Sequence, residues 1–219
     1  SKALLIKEVN PLAINYYLSK SVRLIYLVRH PFSVAKSYQA LNWRSTNLFS
    51  KKFNPNVLSE INQYFPNIEQ ESIWVQMGYL QGWIEASVKT RLAKNNNAEV
   101  IIRYEDICLT PTKAFEQLFS FSNINYSSAI INRIKRSASR KGNVDVGDFS
   151  LSRNSTELAK ITVDAKNHEH YFFLMNAYNQ GFNDFNKSKF SESSNAENTK
   201  ATQKVIVSYE LNSTLVKLC

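Results

Sequence analysis

Cysteine, glycine and histidine are scarce in this chain. Of 219 residues, two are cysteine, five are glycine, five are proline and three are histidine. Cys108 and Cys219 make no disulfide framework, so a small disulfide-stapled scaffold is excluded and nothing calls for an oxidising compartment. The glycines stand at 78, 82, 142, 147 and 181, and none follows a strand-like run in a glycine-rich loop. The sequence motifs of a P-loop and of a dinucleotide-binding turn are therefore missing. Three histidines are too few for a metal centre, and none is expected. His168 and His170, two apart on a helix-like stretch, point to different sides and are expected to face solvent. No apolar stretch approaches the roughly 20 residues that a membrane-spanning helix needs.

What is present bounds the rest. With 43% apolar residues the chain can bury one good core, so one globular unit is expected. A formal charge of +9 favours anionic partners, whether nucleotide, sulfated glycan, nucleic acid or membrane surface. The chain opens on Ser1 and enters a strand-like run at once, which suggests an N-terminus cut short, with any leader or anchor out of view. The cysteine usage favours the cytoplasm, with the Golgi lumen left open should such an anchor exist.

Along the chain, "ALLIKEV" (3–9) reads as a buried strand and "LAINYYLSK" as a helix. The run Val22–Val28 is short, apolar and β-prone, as is a strand covered on both faces of a parallel sheet, and a helix follows to about Leu41. Residues 43–68 read as an irregular insertion. Ile73, Met77, Leu80, Ile84, Val88 and Leu92 recur at helical spacing, and the tryptophans of that helix are expected in the core. "AEVIIRYED" reads as a third strand, and Thr110-Pro111 as the capped start of a helix. Another helix is expected at about 127–137, then a basic loop, then a long closing helix over 155–182. These alternating units predict an α/β fold with a parallel sheet. Residues 186–203 are polar and low in complexity and read as a disordered linker. The tail at 204–219 contains a candidate edge strand, "KVIVSYEL".

The chemistry concentrates where the second strand ends. Pro31 biases His30 away from helix, and Ser33 reads as the N-cap of a helix from Val34. A helix starting there turns free amides and the positive end of its dipole toward the strand end, which suits an anion. Arg29 adds a planar guanidinium fork, and Ser37 lies on the same helix face as Ser33. Phosphate binding and a plain Arg29–carboxylate pair both remain open on these residues. A second basic cluster comprises Arg133, Lys135, Arg136, Arg140 and Lys141, just ahead of Gly142. It is either a solvated helix end or an anion site. No aromatic residue lies between Tyr126 and Phe149, against a nucleic-acid groove with stacking side chains. Glu105 and Asp106 read as partners for neighbouring backbone or arginine groups.

Taken together, four segments resemble the sulfotransferase family. "LIYLVRHPFSVAKSY" is similar to its 3′-phosphate-binding segment, with Arg29, Pro31 and Ser37 at the family's spacing. "IIRYEDICLTPTKAFEQLFSF" resembles its strand, Tyr-Glu-Asp, proline and helix. "SRKGNVDVGDF" resembles its basic loop, and "LIKEVNPL" the short strand that brings a lysine to the active site. The four occur in the family's order over roughly residues 3–182. The resemblance implies a P-loop-like three-layer sandwich with a parallel sheet over residues 1–185, its first βα unit missing. It implies a transferase that passes a sulfuryl group from 3′-phosphoadenosine 5′-phosphosulfate (PAPS) to a hydroxyl or amine acceptor. Arg29, Ser37, Arg140, Lys141 and Gly142 would hold the 3′-phosphate, which separates PAPS from ATP. Lys7 would touch donor or acceptor oxygens.

The match is incomplete in two places. The family's 5′-phosphosulfate loop precedes everything in this chain, so by that resemblance the chain holds half a donor site and little activity by itself. Where the small-molecule branch carries a histidine, two residues after the lysine, Val9 stands here, which leaves Glu8 as the candidate base. This departure tilts the expected acceptor toward a glycan or another surface hydroxyl compound. The competing readings are a non-catalytic domain that binds nucleotides or sulfated glycans, and, third, a nucleic-acid-binding module.

Overall fold

The computed structural model describes residues 6–7, 11–20, 22–40, 49, 53–94, 99–138, 160–193 and 216–218. After a 3₁₀ turn at Pro11–Ala13, the elements in chain order begin with α1 (Ile14–Leu18), β1 (Leu24–Val28) and α2 (Pro31–Ala40). Then come α3 (Pro55–Tyr64), α4 (Ile73–Ala93), β2 (Glu99–Arg103) and α5 (Tyr104–Leu109). The rest are α6 (Pro111–Ser122), α7 (Ser128–Ala138), β3 (Ile161–Val163), α8 (His168–Ser193) and β4 (Val216–Leu218). The fold is mixed α/β. Two compact units take up the chain, residues 1–43 with 88–161 and residues 44–87 with 162–219, where composition led us to expect one.

The first unit is built on β1 and β2, which pair in parallel with Leu24 opposite Glu99 and Val28 opposite Arg103. Parallel strands need a long crossover, and here the chain from α2 through α4 supplies it. The apolar run of β1 is covered less than its composition predicts. Val28 is buried, but Ile25 and Leu27, which share one face, are 38% and 50% exposed. Arg23 ties the start of this strand to α6, its Nη1 donating to the Phe121 carbonyl at 2.8 Å. That places a cation on the last carbonyls of a helix, where the dipole favours it. α6 then stops in a left-handed residue, Asn123 (φ 53°), with the Ile124 amide donating back to the Phe119 carbonyl at 2.9 Å.

Several helix starts depart from the sequence reading. α2 begins at Pro31, three residues before the expected Val34, because proline at the first helical position loses only an amide that would have been unpaired anyway. Thr110 precedes Pro111 as expected, but its hydroxyl donates to the Asp106 carbonyl at 3.1 Å instead of capping α6. Residues 6 and 7, expected in a strand, lie outside regular structure and are exposed.

In the second unit, α3 occupies the stretch read as irregular. Asn54 caps it, its Oδ1 accepting from the Val57 amide at 3.0 Å, and Pro55 follows at the first helical position. Gly78 and Gly82 of α4 lie against the backbone of α8 at Leu174 and Tyr178, and Gly181 of α8 lies against the backbone at Tyr79. No Cβ fits at any of the three. Trp74 and Trp83 are buried as expected, with Trp83 edge-on to Phe185 at 5.4 Å between centroids. His168 is exposed as expected, whereas His170 is half-buried, its ring stacked on Trp74 at 4.7 Å. Tyr79 donates to Asp184 at 3.2 Å, and burial beside that carboxyl holds its phenol protonated far above the usual range.

The closing helix starts and ends later than predicted, since β3 occupies 161–163 and α8 runs to Ser193, into the stretch read as linker. β3 pairs with β4 in a second two-stranded sheet, so the tail does hold a strand, although "KVIVSYEL" itself lies outside the described residues. Among the described residues no helix is long and apolar enough to cross a membrane.

Candidate functional site

Both strands of the parallel pair end at the same level, with Val28 opposite Arg103. The next residues are Arg29-His30 on one strand and Tyr104-Glu105 on the other, and all four lie in the first unit. The crevice beyond the carboxyl ends of parallel strands is where α/β folds place ligands.

Glu105 is 2% exposed, and its Oε1 accepts from the His30 amide at 2.9 Å. Its other oxygen faces Arg103, whose Nε stands 3.9 Å away. A carboxyl therefore sits at the start of both α5 and α2, where helix dipoles favour an acceptor. The partnership expected of Glu105, with backbone and an arginine, is the one observed.

His30 precedes α2 and completes its end. Its carbonyl accepts from the Val34 amide at 3.1 Å, and its Nδ1 accepts from the Phe32 amide at 3.2 Å. An Nδ1 that accepts must carry no proton. Burial, with the Arg103 charge as a smaller cause, pushes the His30 pKa down to about 4, which keeps the ring in that state. The helix end thus offers an anion less than the sequence suggested. The His30 amide goes to Glu105, Pro31 has none, and Phe32 is capped by His30, which leaves the Ser33 amide of the first turn.

Arg29 remains the open element. Its guanidinium lies over the Tyr104 ring, 4.7 Å from the centroid, and its buried Nε has no hydrogen-bond partner among the described residues. The sequence left open a plain Arg29–carboxylate pair; the buried Glu105 carboxylate accepts from the His30 amide through one oxygen, and its other oxygen stands 3.9 Å from Arg103. Burial raises the Cys108 thiol despite the neighbouring Tyr104 hydroxyl and the Arg29 charge, so it is a packed residue and not a reactive one.

Ser37 stands on α2 one turn beyond Ser33; both are half-buried and lie off the face that buries Phe32 and Ala35. Lys7 is exposed and has no ion pair among the described residues. Glu8, Arg140, Lys141 and Gly142 lie outside the described residues. Of the second basic cluster, Arg133, Lys135 and Arg136 are described and form an exposed face of α7. The structure thus brings Arg29 to the strand ends with Ser37 on the adjoining helix. It adds Tyr104, His30 and Glu105, to which sequence reasoning gave no part in the site. The signal for them was the strand pairing itself, which aligns "VRH" with "RYE" and which no single segment carries. Comparison with protein-family models, with curated proteins and with solved structures finds no match.

Proposed function

We propose that the carboxyl end of β1 binds the 3′-phosphate of PAPS or its product, adenosine 3′,5′-bisphosphate. The chain then represents most of a sulfotransferase domain, the β1–β2 pair belonging to a P-loop-like three-layer sandwich. The observation that carries this reading is Arg29, a guanidinium at the end of a parallel strand whose buried Nε finds no acceptor among the described residues. A buried donor without a partner costs about 1–3 kcal/mol, more for a charged group, and a phosphate oxygen would satisfy it through a charge-assisted bond. Ser37 adds a hydroxyl from α2, and by the family resemblance Arg140, Lys141 and Gly142 would contact the same phosphate. Lys7 and Glu8 serve the transfer, Lys7 at the sulfuryl oxygens and Glu8 as base for the acceptor hydroxyl. The acceptor is a glycan or a similar hydroxyl compound. PAPS is the donor, and no metal takes part.

The test is Arg29→Ala with two ligands. Binding of adenosine 3′,5′-bisphosphate should weaken about 10- to 100-fold, the worth of a hydrogen bond to a charged group, while AMP, which lacks the 3′-phosphate, changes little. Equal losses for both would refute the role of Arg29. Arg29→Lys should recover little, because an ammonium cannot reproduce the planar fork.

A further inference from the structure

We infer that Glu105 and Tyr104 are positioning residues for Arg29: Glu105 sets the direction in which the arginine leaves the backbone, and Tyr104 sets where its guanidinium lies. This rests on the 3′-phosphate reading of Arg29.

The argument starts from the peptide plane. The Arg29 carbonyl and the His30 amide belong to one rigid unit, so the bond from the His30 amide to Glu105 Oε1 fixes the backbone torsion that follows the Arg29 Cα. On the other side, Arg29 follows Val28, which is held in register against Arg103. Its backbone is therefore held at both ends. The residue that follows β2, Tyr104 at the start of α5, then offers its ring to the guanidinium at 4.7 Å. One dipeptide thus grips the arginine twice, from residues 75 positions away in the chain. Glu105 is 2% exposed, so it touches no ligand and can act on one only through residues 29 and 30.

The geometry requires an acceptor at Glu105. Glu105→Gln keeps an oxygen for the His30 amide, whereas Glu105→Met, of similar length, removes it. In the 219-residue chain, Glu105→Met should weaken adenosine 3′,5′-bisphosphate binding about tenfold and leave AMP within about twofold. Glu105→Gln should restore affinity to within about threefold of the unaltered chain. In an Arg29→Ala background, Glu105→Met should cost nothing further, as expected of residues that act as a unit.

A ligand-free readout separates this from the parent reading. The Arg29 side-chain resonances of the labelled chain should show the ring-current displacement of a group lying over Tyr104. That displacement should persist in Glu105→Gln and collapse in Glu105→Met and in Tyr104→Leu. Should Glu105→Met fail to fold, Glu105→Asp, a methylene short of the His30 amide, makes the same comparison. An unchanged displacement in the Met or Asp variant, or an undiminished loss in the Arg29→Ala background, overturns the inference. A chain that binds AMP as well as the bisphosphate, yet loses the displacement in Glu105→Met, overturns the 3′-phosphate reading alone.

Discussion

At the scale of single residues, His30 does a job that composition does not suggest. A neutral imidazole caps the second amide of α2 by accepting at Nδ1, and burial with the Arg103 charge depresses its pKa from 6.5 to about 4. The consequence for stability has a definite sign. Above pH 6.5 the ring is neutral folded or unfolded and contributes no pH dependence. Between 6.5 and 4 the unfolded chain binds a proton that the folded chain refuses, so stability falls as pH falls through that window, by about 3 kcal/mol in all. Melting temperatures measured from pH 7 to pH 4 should show this loss. In His30→Asn, whose amide oxygen still accepts from Phe32 and does not titrate, the fall over the same window should be visibly shallower. Identical pH profiles for the two chains would contradict a neutral cap. Arg29 was legible in the sequence because an arginine between an apolar run and a proline stands out. Glu105 was read only as a partner for nearby groups, because its role depends on a strand pairing that brings residue 105 to residue 30.

Among the elements, the contact between α4 and α8 in the second unit is the most demanding. Gly78, Gly82 and Gly181 are glycines because the opposite backbone occupies the space of a Cβ. In an open helix, glycine to alanine gains about 1 kcal/mol from intrinsic propensity. Here each of Gly78→Ala, Gly82→Ala and Gly181→Ala should instead lose about 1–3 kcal/mol, since backbone cannot move aside as a flexible side chain can. Denaturant melts of the three variants check the sign, and any stabilised variant would show that its helix contact is looser than the structure has it. Helix existence was well marked in the sequence where the apolar period was long, as in α4, and where a proline opened the first turn, as in α6. It was missed for α3, whose Asn54-Pro55 start is a cap followed by a first-turn proline. That signal lay within a polar stretch, and composition outweighed it. The closing helix was placed too early because β3 spans only three residues, too few to show a period of two.

For the whole molecule, sequence reading reached the mixed α/β class and the parallel pairing but not the division into two units. That division depends on which distant segments pack together, and apolar content does not encode it. The +9 charge fits an anionic ligand of any size, so salt dependence separates the classes. A duplex or single strand neutralised by the exposed basic face of α7 would bind with an affinity that falls steeply with salt, by a log–log slope near −0.9 for each phosphate contacted on duplex DNA. A bound bisphosphate nucleotide should show a much shallower slope.

The measurement that tests the account most directly is calorimetric titration of the 219-residue chain with adenosine 3′,5′-bisphosphate, adenosine 2′,5′-bisphosphate and AMP at one ionic strength. The two bisphosphates carry the same charge and differ only in where the second phosphate sits. The account predicts that the 3′,5′ isomer binds at least about tenfold tighter than either of the others, the equivalent of about 1.4 kcal/mol, and that Arg29→Ala abolishes the difference. Equal affinity for the two bisphosphates would mean that the chain responds to charge alone, and would contradict a 3′-phosphate site at the end of β1.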